Sequence, residues 1–590
     1  MLVASLFYML AVTAFFGAFL LVRKDDTSSH SAAGWIVIHA GVLMWVNTFI
    51  AGIYALVGIP VTLVSLAIAC ILLTVPCVWS IRKKGIQKLN WNAWDFAMIF
   101  CIAALAVGIG AYYHTPRLQI RDFTGDSCMH YRYAATASKT GVVKGQMFFA
   151  PVNIGVFMSI TKPFLRAYQY YKAFVAMGIM MLALSGCAFY AIISDRLQSR
   201  VAKVLGLVFS ALYMLGYPLH NELMGFNYLG MAVTIVMLMV YFIGLYTNGT
   251  MENDWALLIL MLGCFSLVMC YMLFAPVIYI ALFICLALHS YRREKTSAFV
   301  VKALKVFLVP CALGIYFCYF SFFGSRGLSI QNAINTGGGT RGRFYSYLLI
   351  LLPTTLYFVL TSLKKKEHIE INVFLACVVA FAAAFIGLVF LNKISVYYYS
   401  KVPYLVWFVM SIASYYGLGY MLAQDRRSFI TCVSVFGCLF LIWALNINGA
   451  LLQKASQLGY AHYSENYRTV SCGIYDENLY LLPGQPYDLR RIDLFRYIEE
   501  NCEDETVPLL GDLINYIDVY WCENFTGQDL SAYYYWNMPI EEIINRVTVE
   551  KQVRHVAVMY NTSLYNDHID LWNQFEKVFD NSAGCILEID

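Results

Sequence analysis

For three quarters of its length the chain alternates long apolar runs with short polar breaks. Fourteen runs stand out, near 2–22, 34–56, 60–81, 94–113, 172–194, 201–217, 226–246, 255–271, 274–290, 299–323, 344–363, 370–391, 402–422 and 428–448. Each approaches or exceeds the ~20 apolar residues that a helix needs to cross a bilayer. The pair at 255–290 is one continuous stretch, split here near 271–274. Beyond about residue 450 the period changes to that of a water-soluble domain. Amphipathic helices fit 489–501, 512–523, 540–549 and 564–579, and strands fit 507–510, 553–560 and the last residues near 585–589. Alternating strands and helices predict a small α/β unit. The expected architecture is a polytopic α-helical membrane protein of about fourteen transmembrane helices (1–448), followed by a small C-terminal extracytoplasmic α/β domain (449–590).

Composition supports that division. Hydrophobic residues make up 60% and charged residues only 13%, about half the charge of an ordinary soluble domain. The net charge of +5 hides an asymmetry: residues 451–590 hold 9 Lys+Arg against 23 Asp+Glu, so the rest is strongly basic. That basic excess sits in alternate short loops: Arg23-Lys24, Arg82-Lys83-Lys84, Arg196 and Arg200, Arg292-Arg293, Lys364-Lys365-Lys366, and Arg426-Arg427. Only the loop at 247–254 breaks the rule. Positive loops remain cytoplasmic, which puts the large loop 114–171, the loops 324–343 and 392–401, and the C-terminal domain outside. The expected location is the plasma membrane, multi-pass. Basic residues follow the first run rather than precede it, the wrong flank order for a cleaved signal peptide. No basic stripe interleaved with aromatics lies outside the apolar runs, so nucleic acid is not an expected partner; membrane lipids are. Of 17 Cys, twelve lie in apolar runs, where Cys acts as a small hydrophobe. Cys128, Cys472, Cys502, Cys522 and Cys585 lie outside them; the last four are compatible with two disulfides, though a structural or free-thiol role is favoured. No Cys/His spacing points to zinc.

Thirteen carboxylates lie before residue 450, and ten fall on the basic-loop side. The outer side keeps Asp122, Asp126 and Glu222. The first two sit in RDFTGDSCMHYRYAATASKTG, which reads as a loop running into an amphipathic helix. Asp126 falls near the helix N-terminus, where unpaired amides favour a carboxylate. His130 follows at i+4 on the same face. A plain helix cap would explain Asp126 as well, but outer carboxylates are scarce and Arg117, Arg121 and Arg132 flank it. Two further outer segments carry cations. NTGGGTRGRFYS (335–346) combines exposed backbone amides with Arg341 and Arg343, guanidinium groups suited to phosphate; it reads equally as a flexible loop with arginines at the membrane surface. NKISVYYYSKVPY (392–404) places Lys393 and Lys401 around Tyr397, Tyr398 and Tyr399, a pattern that an interfacial aromatic belt also produces. Glu222 belongs to YPLHNELMGFNYLG, read as a tight polar turn between helices.

These segments resemble the GT-C glycosyltransferases, membrane enzymes that use lipid-phosphate-linked sugars. The D-x-x-x-H-Y pattern in a large first outer loop, with GDSCMHYRYAATASKTG, TRGRFYS and SVYYYSK, is similar to bacterial, especially Gram-positive, members. The likeness covers about 94–448. Three helices precede the one leading into the acidic loop, where simpler members have one. The paired acidic motif is spread here over Asp122 and Asp126. The resemblance implies an inverting transfer from a polyprenyl-phosphate-sugar donor to the hydroxyl of a glycan, protein or lipid acceptor. A carboxylate would act as base, and cations would meet the phosphate. Asp126 is the base candidate and Asp122 its partner; both are also the candidate ligands of a divalent cation, Mg²⁺ or Mn²⁺. Arg341, Arg343 and Lys401 are the phosphate candidates, and His130, Tyr131, Glu222 and Tyr398 the substrate-binding ones. Two rivals share these features. A flippase or transporter for lipid-linked oligosaccharide would place charges at the midplane and repeat its halves, and neither sign is present. A glycan polymerase or ligase would carry its large loop late rather than early.

Overall fold

The computed structural model describes residues 1–25, 29–121, 126–143, 148–194, 199–291, 296–318, 348–394, 396–424, 474–483, 486–502, 505–512 and 516–589. Twelve helical segments among them are long and apolar enough to cross a membrane. In chain order the helices of the apolar part are α1 (Leu2–Leu21), α2 (Ala32–Val57), α3 (Leu63–Lys84), α4 (Ala93–Tyr113), α5 (Asp126–Thr140), α6 (Phe149–Thr161), α7 (Tyr171–Ser194), α8 (Arg200–Leu215), α9 (Tyr217–Leu223), α10 (Asn227–Thr247), α11 (Asn253–Cys270), α12 (Ala275–Ser290), α13 (Thr296–Gly314), α14 (Leu348–Lys365), α15 (Ile369–Phe390), α16 (Val396–Tyr399) and α17 (Val402–Gln424). The long stretch at 255–290 divides where expected, at a short 3₁₀ turn over Met272–Phe274. α14 stands where the eleventh run was expected, and the fourteenth, 428–448, lies outside the described residues.

Local sequence sets the ends. Thr62 and Ser65 form a reciprocal capping box at the start of α3, and Ser31 caps α2. Gly58, at φ +75°, closes α2 in the left-handed conformation. α10 is the axis of the bundle, with 83% of its spanning window buried, and α7 follows at 78%; α3, α13 and α15 are peripheral, at 22%, 17% and 22%. Since lipid tails are as apolar as the helices, packing rather than water exclusion holds such a core together.

The end that carries the basic loops is tied by a buried polar network. A two-residue parallel pair joins β1 (His30–Ser31) to β2 (Leu89–Asn90). Gln87 donates to Asp25 (2.5 Å), and its side-chain oxygen accepts the Lys24 amide (2.7 Å). The Lys24 ammonium is fully buried between the Phe19 carbonyl and His39 Nε2 (3.0 Å), over the Phe19 ring. His39 Nδ1 meets the Trp35 carbonyl at 2.8 Å, so this ring donates there and accepts from Lys24. His30 pairs with Asp25 at 2.5 Å. Asp95, in the first turn of α4, holds Lys203 of α8 at 2.6 Å and also accepts from Tyr190 and Ser31.

The C-terminal part adds α18 (Ile474–Leu481), α19 (Leu489–Asn501), β3 (Leu509–Leu510), α20 (Tyr516–Thr526), α21 (Ile540–Thr548), β4 (His555–Met559), β5 (Glu576–Asn581) and β6 (Gly584–Glu588). The four strands form a sheet in the order β3-β4-β6-β5, with β3 and β4 parallel and the other pairs antiparallel. The helix expected over 564–579 is a correction. It stops by Trp572, and 576–581 turns into a strand paired with β6. Asn581 explains the reversal: its side chain accepts from the amides of Ala583 and Gly584 and closes the hairpin. Cys502, Cys522 and Cys585 are buried and unbridged, so the two-disulfide arrangement does not occur; Cys472 lies outside the described residues.

Candidate functional site

The segment expected as a polar turn around Glu222 is a helix. Gly216 breaks α8, Pro218 starts α9, and all seven residues of α9 are buried. The reversal comes one step later, at Gly225, whose φ of +71° favours glycine. Burial gives Glu222 a specific place. Its carboxylate lies against Gly178 of α7, where even a methyl group would sit 2.6 Å from either oxygen. Its partner is His114, at the end of α4, with Nε2 3.1 Å from Oε1. The other ring nitrogen of His114 faces the Gln119 carbonyl at 3.0 Å. Both ring nitrogens of His114 therefore face oxygen atoms, Glu222 on one side and the Gln119 carbonyl on the other. Glu222 is thus a member of a closed pair, which weakens its expected role toward substrate.

α5 is described from Asp126 onward, and Ser127 packs on the reversal: a Cβ on Gly225 would lie 2.8 Å from that of Ser127. One turn after Asp126, His130 is buried edge-on against Tyr228 (4.5 Å between centroids). Burial first, and then the charge of Lys401, lower the His130 pKa to about 4. The Lys401 ammonium, buried from the other side, lies 3.4 Å from the centre of the Phe226 ring and 5.0 Å from that of Tyr397. Its backbone amide donates to the carbonyl of Tyr398, a half-buried residue of α16. Residues 225–228 therefore join the start of α5, His130 and Lys401. Asp122, Arg341 and Arg343 lie outside the described residues.

Tyr131 takes no part in this cluster. It is buried between Phe174 of α7 and Trp521 and Phe525 of α20. Arg132 reaches Glu523 at 3.3 Å, and Asn524 donates to the Cys128 carbonyl at 2.8 Å. These contacts dock the C-terminal domain on α5. α18 adds a second attachment: Asn478 donates to the Leu215 and Gly216 carbonyls (2.8 Å each) and faces His220 Nδ1 at 3.1 Å. The i, i+1 spacing of His130 and Tyr131 turns them about 100° apart on a helix. One faces the membrane helices and the other the appended domain.

Three polar atoms around this outer rim are buried without a hydrogen-bond partner: His130 Nδ1, Arg121 Nη1 and Asn221 Oδ1. Arg121 lies over the Tyr113 ring at 4.7 Å, and Tyr113 itself donates to the Leu223 carbonyl at 2.8 Å, so these groups belong to one neighbourhood. Buried polar atoms are paired in the great majority of cases; these exceptions, among others in the described residues, lie on the rim that also holds the buried Lys401 ammonium. Sequence reasoning gave Arg121 only as a neighbour of Asp126 and missed His114; the scarcity of outer histidines was the available signal. No family model matches the chain, and no curated protein matches it.

Proposed function

We propose that this protein is a membrane glycosyltransferase of the GT-C type. It would move a sugar from a polyprenyl-phosphate donor to an acceptor hydroxyl at the membrane end opposite the basic loops. One observation carries the reading: the first turn of α5, which bears Asp126, rests on the same short segment as buried Lys401 and His130, beside polar atoms left without partners. A helix start and a buried ammonium both favour an anion, and a donor phosphate is the anion that the chemistry supplies. Asp126 takes the proton of the acceptor hydroxyl as its oxygen attacks the sugar C1. The bond from C1 to the phosphate oxygen breaks, and the electron pair leaves with the polyprenyl phosphate. Displacement from the opposite face inverts the anomeric centre. Lys401, with Arg341 and Arg343, meets the charge that develops on the phosphate. His130, lowered in basicity, stays neutral at pH 7, and with the ring bonded to the Gly225 backbone its Nδ1 accepts a hydrogen bond from a substrate hydroxyl rather than adding a second positive charge. The carboxylates Asp122 and Asp126 also suit Mg²⁺ or Mn²⁺, hard cations that prefer oxygen.

The test uses the full chain in detergent with a panel of polyprenyl-phosphate hexoses and pentoses. Asp126→Asn is expected to lower transfer by about 10²- to 10⁴-fold, the usual contribution of a general base, without changing the unfolding temperature. Turnover retained in that variant removes Asp126 from its role, and labelling that puts Asp126 and Arg341 on opposite sides of the bilayer ends the proposal.

A further inference from the structure

The C-terminal domain brings together three side chains that sequence spacing did not connect. Cys502 ends α19, Glu505 follows in the next loop, and His555 opens β4. One ligand atom from each, the Cys502 sulfur, a Glu505 oxygen and a His555 ring nitrogen, lies within 4.8 Å of the other two. His555 Nδ1 is 2.5 Å from Glu505 Oε1, while Glu505 Oε2 is buried with no hydrogen-bond partner. The loop is held from behind. Gln528 donates to the carbonyls of Glu505 (2.8 Å) and Cys502 (3.4 Å) and accepts from the Val507 amide (2.8 Å). That single side chain fixes the backbone on both sides of the two loop ligands, as supporting groups do around a metal.

We infer that Cys502, Glu505 and His555 form a binding site for a borderline divalent transition metal of the Zn²⁺ class, with a fourth position open to water. Ligands around tetrahedral zinc, at roughly 2.0–2.3 Å from the ion, stand roughly 3.3–3.8 Å apart. To reach that arrangement the 2.5 Å separation of His555 Nδ1 and Glu505 Oε1 has to open, and the Cys502 sulfur starts within 4.8 Å of both partners. A sulfur–nitrogen–oxygen set suits zinc or cobalt and not Mg²⁺ or Mn²⁺, so this site is chemically separate from any carboxylate site at Asp122 and Asp126. The ion's work is structural: it fastens the end of α19 to the first residue of β4, in the domain that α20 docks on α5.

The probe is Co²⁺, titrated into the full chain in detergent and followed by thiolate-to-cobalt charge-transfer absorption. The expected result is saturation at one ion per chain, displacement by Zn²⁺, and a rise in unfolding temperature with Zn²⁺. Cys502→Ser should lose the charge-transfer band, and His555→Gln should weaken binding at least tenfold. A wild-type chain with no saturable band, or a band that persists in Cys502→Ser, overturns the site and leaves a hydrogen-bonded triad. Should both variants misfold, the wild-type titration decides together with peptide mapping, in which Zn²⁺ must protect Cys502 from alkylation. None of these readouts depends on glycosyl transfer.

Discussion

The two ends of the helical bundle differ in how completely their buried ionisable side chains are satisfied, while neutral polar atoms without a hydrogen-bond partner occur at both, Trp35 Nε1 and Tyr246 Oη at the basic-loop end among them. At the basic-loop end, Lys24, His39, Asp25, His30, Asp95 and Lys203 each meet a complementary partner, and Asp95 meets three. At the other end His130, Arg121 and Asn221 each keep a buried atom without one. Burying a polar atom unpaired costs about 1–3 kcal/mol, a cost that these ionisable side chains of the inner end avoid. A closed network fixes helices in register, whereas an open one is what a ligand can complete.

The largest effect that would break this comparison is at the inner end. Lys203→Met leaves Asp95 buried with the hydroxyls of Ser31 and Tyr190 but no cation. Removing one member of a buried pair costs about 3–5 kcal/mol, and the two remaining donors put the expectation near the lower figure. Unfolding of the purified chain in detergent measures it. A loss below about 1 kcal/mol would show that the inner network is not what holds α4 to α8.

The next effect is at the outer end and depends on pH. The folded state lowers the His130 pKa from 6.5 to about 4, so between those values the unfolded chain binds the proton more readily. The sign follows directly: the contribution is complete above pH 6.5 and is lost as pH falls toward 4. It amounts to at most about 3.5 kcal/mol, at about 1.4 kcal/mol per unit. His130→Gln should leave stability at pH 7 within about 1 kcal/mol, because one ring atom had no partner to lose, yet it should flatten the slope between pH 6.5 and 4.5. An unchanged slope would assign the titration elsewhere and remove the contrast between the two ends.

Most of the fold was legible because hydropathy reports directly on the solvent around each segment. The break at Tyr271, the helix over Asp126–Thr140 and the strand at His555 all follow from local pattern. What stayed hidden depends on tertiary placement. The α9 helix was mistaken for a turn because His220, Asn221 and Glu222 are polar, and nothing in their sequence reveals that Gly178 leaves room for a carboxylate. The first strand of the hairpin, Glu576–Asn581, falls partly under the helix expected over 564–579 because a helical pattern of apolar residues runs through Trp572 and beyond, whereas the strand expected near 585–589 is present. Tyr131 looked like part of the site because it neighbours His130, but helical geometry sends it to Trp521 instead. The Cys502, Glu505 and His555 cluster joins residues some fifty positions apart, which no spacing rule reads.

The smallest effect concerns the join between the bundle and the C-terminal domain. The Arg132 side chain is 45% exposed, whereas Glu523 beneath it is 1% exposed. A rule based on buried pairs alone would forecast a large loss for Arg132→Ala. Glu523, however, also accepts from the Leu530 amide at 3.0 Å and the Tyr534 hydroxyl at 2.7 Å, so the carboxylate stays satisfied when the arginine goes. The pair itself is screened on its exposed side, and such pairs contribute about 0–1 kcal/mol. Arg132→Ala should therefore shift the unfolding transition by no more than that, and raising the salt concentration should do as little. A loss of several kcal/mol would mean that the domain is held to α5 by charge rather than by the packing of Tyr131 against Trp521 and Phe525.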